Sequence, residues 1–273
     1  MPELPEIETI RLGLGPLLAG RRILGVRVGE RRLRWGIRRE HLRALRGARF
    51  TAARRRSKYL LLDTDSGRTL LIHLGMTGQI WVTEAARPRR PHEHVVFALE
   101  GGRDLRFADS RRFGTILVVP TDRLDRHPRL DGLGPEPFDV GLTGERLRGA
   151  ARGRTRPVKN FLIDTRQVAG IGNIYACEAL HRAGIDPRRP AGRIGAARWE
   201  RLLSALREVL EEAIRAGGTT FRDYLKADGD VGSFAVSLRV YDRAGRPCPR
   251  CGRRIRRIVL AGRSTFYCSR CQR

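Results

Sequence analysis

Three sets of residues in this chain carry more chemistry than a plain scaffold requires. The first is the amino terminus, Met1-Pro2-Glu3-Leu4-Pro5-Glu6. An initiator methionine is normally trimmed ahead of a small residue such as proline, which exposes a secondary amine at Pro2. An α-amine holds its proton less tightly than a lysine side chain, roughly 7.7–8.0 against 10.4 for ordinary residues. A secondary amine that condenses with an aldehyde carbon gives an iminium with no neutral imine form, a permanent electron sink. Glu3 and Glu6 add two carboxylates, for proton donation or for hydrogen-bond acceptance. The same residues also suit an ordinary helix start, with proline in the first turn and acids facing the dipole. Local physics leaves both uses open.

The second set is the amines. Lys58, Lys159 and Lys226 are the three lysines among 55 basic residues. Arginine stays protonated at any working pH, whereas lysine can lose its proton and act as base or nucleophile. Each retained amine is therefore a candidate for proton transfer, with chance retention as the alternative. The third set is Cys248-x2-Cys251 and Cys268-x2-Cys271. Two such pairs joined by a hairpin supply the four soft ligands that tetrahedral zinc takes at about 2.3 Å. Strands at 253–260 and 264–268, around Ala261-Gly262-Arg263, would form that hairpin. All four positions are filled by protein, so the ion is expected to be structural. Disulfides are the alternative, disfavoured without a secretory signal. Cys177 stands alone on an apolar helix face and reads as a small core residue.

These groups need a scaffold, and composition bounds it. The 273 residues, 41% of them apolar, suffice for about two domains with real cores. No apolar run approaches the roughly 18–20 residues that cross a bilayer, and no basic region followed by an apolar stretch opens the chain. The expectation is neither a membrane protein nor a secreted precursor. The formal net charge of +26 favours a polyanionic partner, because each neutralised phosphate releases a condensed counterion. A merely solvated basic surface is the bland alternative. The cysteine hairpin alone carries Arg250, Arg253, Arg254, Arg256, Arg257, Arg263, Arg270 and Arg273.

Ile7, Ile10, Leu14, Leu17 and Leu18 recur at helical spacing between Pro5 and about Gly20. Short strand-like runs follow at 59–64, 69–74, 79–83, 94–100, 103–109 and 115–120, with turn residues between several of them. Such close spacing predicts antiparallel sheets packed as a sandwich against the first helix. The cluster Leu133-Gly134-Pro135-Glu136-Pro137 marks a boundary, beyond which the pattern turns helical. One helix is expected from about Asn173 to Gly184. Another carries the stripe Trp199, Leu202, Leu203, Leu206, Val209, Leu210, Ala213 and Ile214 and ends at Gly217-Gly218. Residues 227–233 read as a loop. The predicted class is α+β and multidomain. Residues 1–132 form an antiparallel β-sandwich with a helix, 138–235 a helical domain and 238–273 a zinc finger.

The run MPELPEIETIRLGL, with SKYLLL, HLGMTG, DSRRFG, GIGNIYACEAL and the terminal zinc ribbon, resembles the bacterial formamidopyrimidine-DNA glycosylases. Each short motif is weak; the ordered set, spanning nearly the whole chain, is specific. The resemblance implies a bifunctional enzyme of base excision repair that excises 8-oxoguanine and ring-opened purines and then cleaves the abasic strand. It implies a helix-two-turns-helix DNA clamp in the helical domain, one structural zinc ion, and double-stranded DNA with oxidised bases or abasic sites as partner. A monomer, cytoplasmic and on the nucleoid while it acts, is the corresponding expectation.

Carried over residue by residue, the resemblance makes Pro2 the nucleophile on the deoxyribose C1′. Glu3 becomes the proton donor that helps open the sugar, and Glu6 the group that orients the Pro2 amine. Lys58 is the proton-shuttling lysine of β-elimination. Arg263 serves δ-elimination; since a guanidinium rarely gives up a proton, it is read as a bidentate clamp on the departing phosphate. His92, Arg111 and Arg154 correspond to DNA contacts, and Lys159 and Asn173 to residues that hold the lesion strand. Met76, Arg111 and Phe113 form a wedge that fills the space left by an extruded base, offsetting a cost of a few kcal/mol. The family's Asp-Pro-Arg-Arg-Phe-Gly reads Asp109-Ser110-Arg111-Arg112-Phe113-Gly114 here, a less rigid turn. Lys226 matches no family position.

Three rival readings share these features. An endonuclease VIII-type enzyme would remove oxidised pyrimidines; Leu4 and Gly217-Gly218-Thr219-Thr220 favour the purine type. A damaged-DNA binder that has lost its chemistry is opposed by intact Pro2, Glu3 and Lys58. A zinc-ribbon protein of a ribonucleoprotein would have no need of the strand-rich N-terminal half.

Overall fold

A computed structural model describes residues 2–29, 33–34, 36–217 and 238–273. Met1, the stretch Gly218-Thr219-Thr220, Lys226 and the 227–233 loop lie outside the described residues. Among those described, residues up to Asp131 form one compact unit and residues from Gly132 onward a second.

The first unit opens with helix α1 (Leu4–Leu18). Its start is a capping box: the Glu3 carboxylate accepts from the third helical amide, and the Glu6 side chain accepts from the Glu3 amide. One face, Leu4, Ile7, Ile10, Leu14 and Leu18, is buried. Eight strands follow as two antiparallel sheets. One contains β1 (Ile23–Val28), β6 (Glu93–Leu99), β7 (Arg103–Asp109) and β5 (Gly78–Glu84), in that order. The other runs β2 (Phe50–Arg56), β3 (Tyr59–Thr64), β4 (Arg68–His73) and β8 (Thr115–Pro120). Alternate residues of both sheets, Leu60 and Leu62, Leu70 and Ile72, Val95 and Phe97, Leu105 and Phe107, share one core with α1. That is the expected sandwich, built on the period of two that strands impose.

The expected strands at 59–64, 103–109 and 115–120 occur as read, and the other three shift by about one residue. Strands β1 and β2 and the short helix α2 (Arg39–Arg43) were not foreseen. Both strands lie at sheet edges, where one row of backbone groups has no ladder partner. In β2 the charges of Arg54 and Arg55 are answered by Asp63 and Glu8.

In the second unit Thr143 caps α3 (Gly144–Ala151), its hydroxyl accepting from the Arg146 amide. Helices α4 (Val158–Leu162), α5 (Asn173–Ala183) and α6 (Ala196–Arg215) pack around Trp199, Tyr175, Phe161, Leu206 and Leu210. Gly184, at φ 71°, ends α5 in the left-handed conformation that glycine tolerates. Strands β9 (Arg256–Leu260) and β10 (Arg263–Tyr267) form a hairpin. Its two turn residues, Ala261 and Gly262, both have positive φ, 46° and 72°, as the tightest hairpins require. Cys177, Val240, Ile255, Phe266, Cys248 and Cys268 make one small core, so the hairpin and α5 are packed together. Cys177 is 1% exposed, the core residue its apolar helix face suggested. No helix among the described residues is long and apolar enough to cross a membrane.

Candidate functional site

In the first unit the chain start is held from two sides. Pro2 is buried, and Glu3 and Glu6 are each 2% exposed. The Glu6 carboxylate accepts the Glu3 amide at 2.8 Å, one residue from Pro2. A turn and a half along α1, Glu8 accepts from Arg11 at 2.6 Å and from Arg55 at 3.0 Å. Burial alone would raise the Glu8 pKa, but these two guanidinium groups outweigh it and hold the carboxyl below its usual range. Arg55 also donates to the Ser57 carbonyl at 3.0 Å. The ion pair thus links the helix behind Pro2 to the two-residue turn that carries Lys58.

That turn is strained. Ser57 has φ 55°, sparsely populated by any residue with a Cβ, and is 2% exposed. Lys58 beside it is 7% exposed. His73 lies close by, with its ring 5.0 Å from that of Tyr59. Its Nδ1 accepts the Gly75 amide at 3.1 Å, so the proton of the neutral ring sits on Nε2. Burial, then the positive charges of Lys58 and Arg129, push the His73 pKa down to about 4.

The loops after β4 and after β7 meet. Asp109 is 1% exposed and bonds to both. Its Oδ1 accepts from the Thr77 hydroxyl at 2.5 Å and from the Arg111 amide at 3.2 Å. Its Oδ2 accepts from the Gly114 amide at 2.7 Å. A Cβ on Gly75 would stand 2.7 Å from the Gly114 nitrogen, so only glycine permits this approach. Met76 is presented from one loop, 44% exposed. From the other, Arg111 is exposed and Phe113 half-buried. The Arg111 guanidinium lies 4.8 Å from the Phe113 ring centre, and that of Arg34 lies 5.5 Å from it. His92, exposed at φ 65°, ends the neighbouring loop, its carbonyl accepting the Asp109 amide at 3.1 Å.

The second unit presents the cysteine cluster. The Sγ atoms of Cys248, Cys251, Cys268 and Cys271 all lie within 4.8 Å of one another. Two of the separations are 3.9 Å, for Cys248–Cys271, and 3.4 Å, for Cys251–Cys268. A tetrahedron of bonds about 2.3 Å long spaces its corners about 3.8 Å apart, so the four sulfurs suit one structural zinc ion. At the far end of the hairpin, Arg263 is exposed directly after the two-residue turn. Two side chains fasten its strand. The Asn173 amide donates to the Ser264 carbonyl at 2.8 Å, and the Lys159 amine to the Thr265 hydroxyl at 2.6 Å.

Residues 1–116 match the family model of the formamidopyrimidine-DNA glycosylase N-terminal domain, and residues 133–224 that of its H2TH domain. Residues 245–273 match a zinc finger found in FPG and IleRS. The chain belongs to the formamidopyrimidine-DNA glycosylase family. It is 51% identical to the formamidopyrimidine-DNA glycosylase of Methylococcus capsulatus, with both chains covered in full. The MutM (Fpg) crystal structure from Thermus thermophilus superposes with a TM-score of 0.86 at 41% identity, covering 99% of this chain and 98% of that one. Two Lactococcus lactis Fpg structures cover each chain in full at 32% identity. One is of a mutant with Fapy-dG DNA, TM-score 0.90, and the other holds oxidised pyrimidine-containing DNA, TM-score 0.89. Members are DNA glycosylases of base excision repair, and abasic-site lyase activity is typical of them. The chain is an enzyme of that kind.

Against this glycosylase family, the expected residues separate by exposure. Arg111, Arg154, His92, Met76 and Arg263 face solvent. Lys159 does not: it is 0% exposed. The expectation that it grips the lesion strand directly is at odds with that burial; it ties α4 to β10 instead. Asn173 likewise spends its amide donor on the hairpin. The sequence reading passed over Asp109, Arg55, His73 and Arg34. For Asp109 a signal was present, since an acid opening a turn commonly accepts the amides that follow it. Arg55 and Arg34 sat among too many arginines to stand out.

Proposed function

We propose that this chain removes oxidised purines, 8-oxoguanine and formamidopyrimidines, from double-stranded DNA and then cleaves the strand by β,δ-elimination. After removal of Met1, the Pro2 nitrogen bonds to C1′ of the damaged nucleotide. The N-glycosidic bond breaks, the base leaves with the electron pair and takes up a proton, and the Pro2 nitrogen sheds its own N–H proton. Glu3 gives a proton to the sugar oxygen as the ring opens, leaving an iminium between Pro2 and C1′. Glu6, through the Glu3 amide, holds this segment in place. Loss of a C2′ proton, with Lys58 as the carrier, expels the 3′ phosphate. A second elimination, with loss of the C4′ proton, expels the 5′ phosphate, paired with the Arg263 guanidinium. Water then hydrolyses the iminium and restores the Pro2 amine.

Met76, Arg111 and Phe113 fill the stack when the base is extruded. His92 and Arg154 bind phosphates from exposed positions, and Lys159 and Asn173 act on the lesion strand through the hairpin they fasten. Zinc, when bound, rigidifies the hairpin; Cys248, Cys251, Cys268 and Cys271 would hold it. The enzyme acts as a monomer, in the cytoplasm, on nucleoid DNA. Its three parts are residues 1–132, 138–235 and 238–273.

The observation that carries the reading is the Glu8–Arg55–Ser57 connection, which ties the helix behind Pro2 to the turn of Lys58. Borohydride reduction in the presence of an 8-oxoguanine duplex is expected to trap a covalent protein–DNA adduct, with Pro2→Gly sharply weaker. No adduct, or Met1 still attached in active protein by mass spectrometry, defeats the mechanism. A second reading has one observation behind it: the Lactococcus lactis Fpg binds oxidised pyrimidine-containing DNA. An excision panel over defined lesions separates a purine enzyme from an endonuclease VIII-type one.

A further inference from the structure

Helix α5 lays one stripe along the zinc hairpin. Asn173, Cys177 and His181 follow at intervals of four, neighbours on one helix face. Asn173 reaches the hairpin near its tip, and Cys177 lies in its small core. His181 reaches the metal end. It is 2% exposed, and its Nε2 stands 3.5 Å from the Cys248 sulfur. Its Nδ1 is buried with no hydrogen-bond partner among the described residues. A polar ring is thus desolvated with one contact to show for it, and that contact is a zinc-ligand sulfur.

We infer that His181 is a positioning residue of the zinc site, its Nε2–H donating to the Cys248 thiolate. A zinc-bound thiolate can only accept, so a ring nitrogen directed at it must carry the proton, which assigns the tautomer. Such a bond stabilises the thiolate as a ligand and fixes its orientation toward the metal. It also attaches the zinc knuckle to the C-terminal end of the helix whose first residue, Asn173, fastens the tip of the same hairpin. Helix α5 therefore holds the hairpin at both ends. The inference rests on the four cysteines holding zinc, which metal analysis of the purified protein tests separately.

The test compares zinc transfer from the holoprotein to a chromogenic chelator. His181→Phe keeps a flat buried ring but has no donor, and its release rate is expected to rise at least about tenfold. His181→Gln restores an N–H and is expected to recover most of the difference. Release from His181→Phe at the parent rate overturns the inference, as does equal acceleration in both variants. The unsubstituted protein loaded with cadmium-113 gives a readout that variant folding does not affect. A coupling between His181 Hε2 and the metal across the sulfur is expected. A ring protonated on Nδ1 and bare on Nε2 overturns the assignment.

Discussion

Asp109→Asn tests the proposed wedge of Met76, Arg111 and Phe113 through the carboxylate that joins its loops. The carboxylate accepts three hydrogen bonds, two at Oδ1 and one at Oδ2, and serves both the loop of Met76 and that of Arg111 and Phe113. Asparagine has nearly the same shape but only one acceptor atom. If its NH2 faces Gly114, two donors oppose each other in a site 1% exposed. If it faces Thr77, the hydroxyl can turn and accept, but the charge-assisted bond is lost. Either orientation costs about 1.5–3 kcal/mol, the range for a bond to a charged group or for a buried donor left unmet. At about 1.4 kcal/mol per decade, the equilibrium constant for assembling the loop pair falls roughly 10- to 100-fold. Single-turnover excision from an 8-oxoguanine duplex is expected to slow by that factor. Strand cleavage at a preformed abasic site, which has no base to extrude, is expected to stay within about threefold. Excision at the parent rate, or equal losses on both substrates, would refute the claim that Asp109 acts by holding the wedge.

The other predictions concern the wedge ring, the metal, the buried lysine and the neutral histidine. Phe113→Ala slows duplex excision more than abasic lyase action, measured on the same two substrates; equal losses count against a wedge. Cys248→Ser releases zinc and weakens DNA binding, and unchanged metal content rejects the four-cysteine site. Lys159→Met leaves the salt dependence of DNA affinity unchanged, because a fully buried amine neutralises no phosphate. A slope shallower by about one unit would restore the direct contact. His73 has its folded pKa lowered from 6.5 to about 4. Its contribution to stability is therefore complete above about pH 6.5 and declines as pH falls toward 4. Between pH 7.5 and 5 the parent should lose about 1–2 kcal/mol more than His73→Asn in urea unfolding. An NMR titration midpoint near 6.5 for His73 would contradict this.

Local pattern was enough to read the α1 stripe, the short strand-like runs of β3, β7 and β8, the amphipathic α6 and the paired cysteines. Each is a short-range periodicity or spacing that burial or coordination imposes on neighbouring residues. The residues proposed as a wedge and the chain start were legible as types, because a methionine and a phenylalanine at strand ends and a proline behind the initiator are poor choices for packing alone. Edge strands β1 and β2 escaped: Gly25 and Arg27 interrupt the short apolar run of β1, and the Arg54-Arg55-Arg56 run of β2 resembles loop. The tertiary structure alone decided the long-range partnerships. Arg55 joins Glu8 to the lysine turn, Asp109 joins two loops some 32 residues apart at Thr77, and Lys159 turns inward to Thr265, 106 residues away. No local rule singles out one arginine among fifty-two or fixes whether a lysine faces water, because that is settled by which distant backbone closes over it.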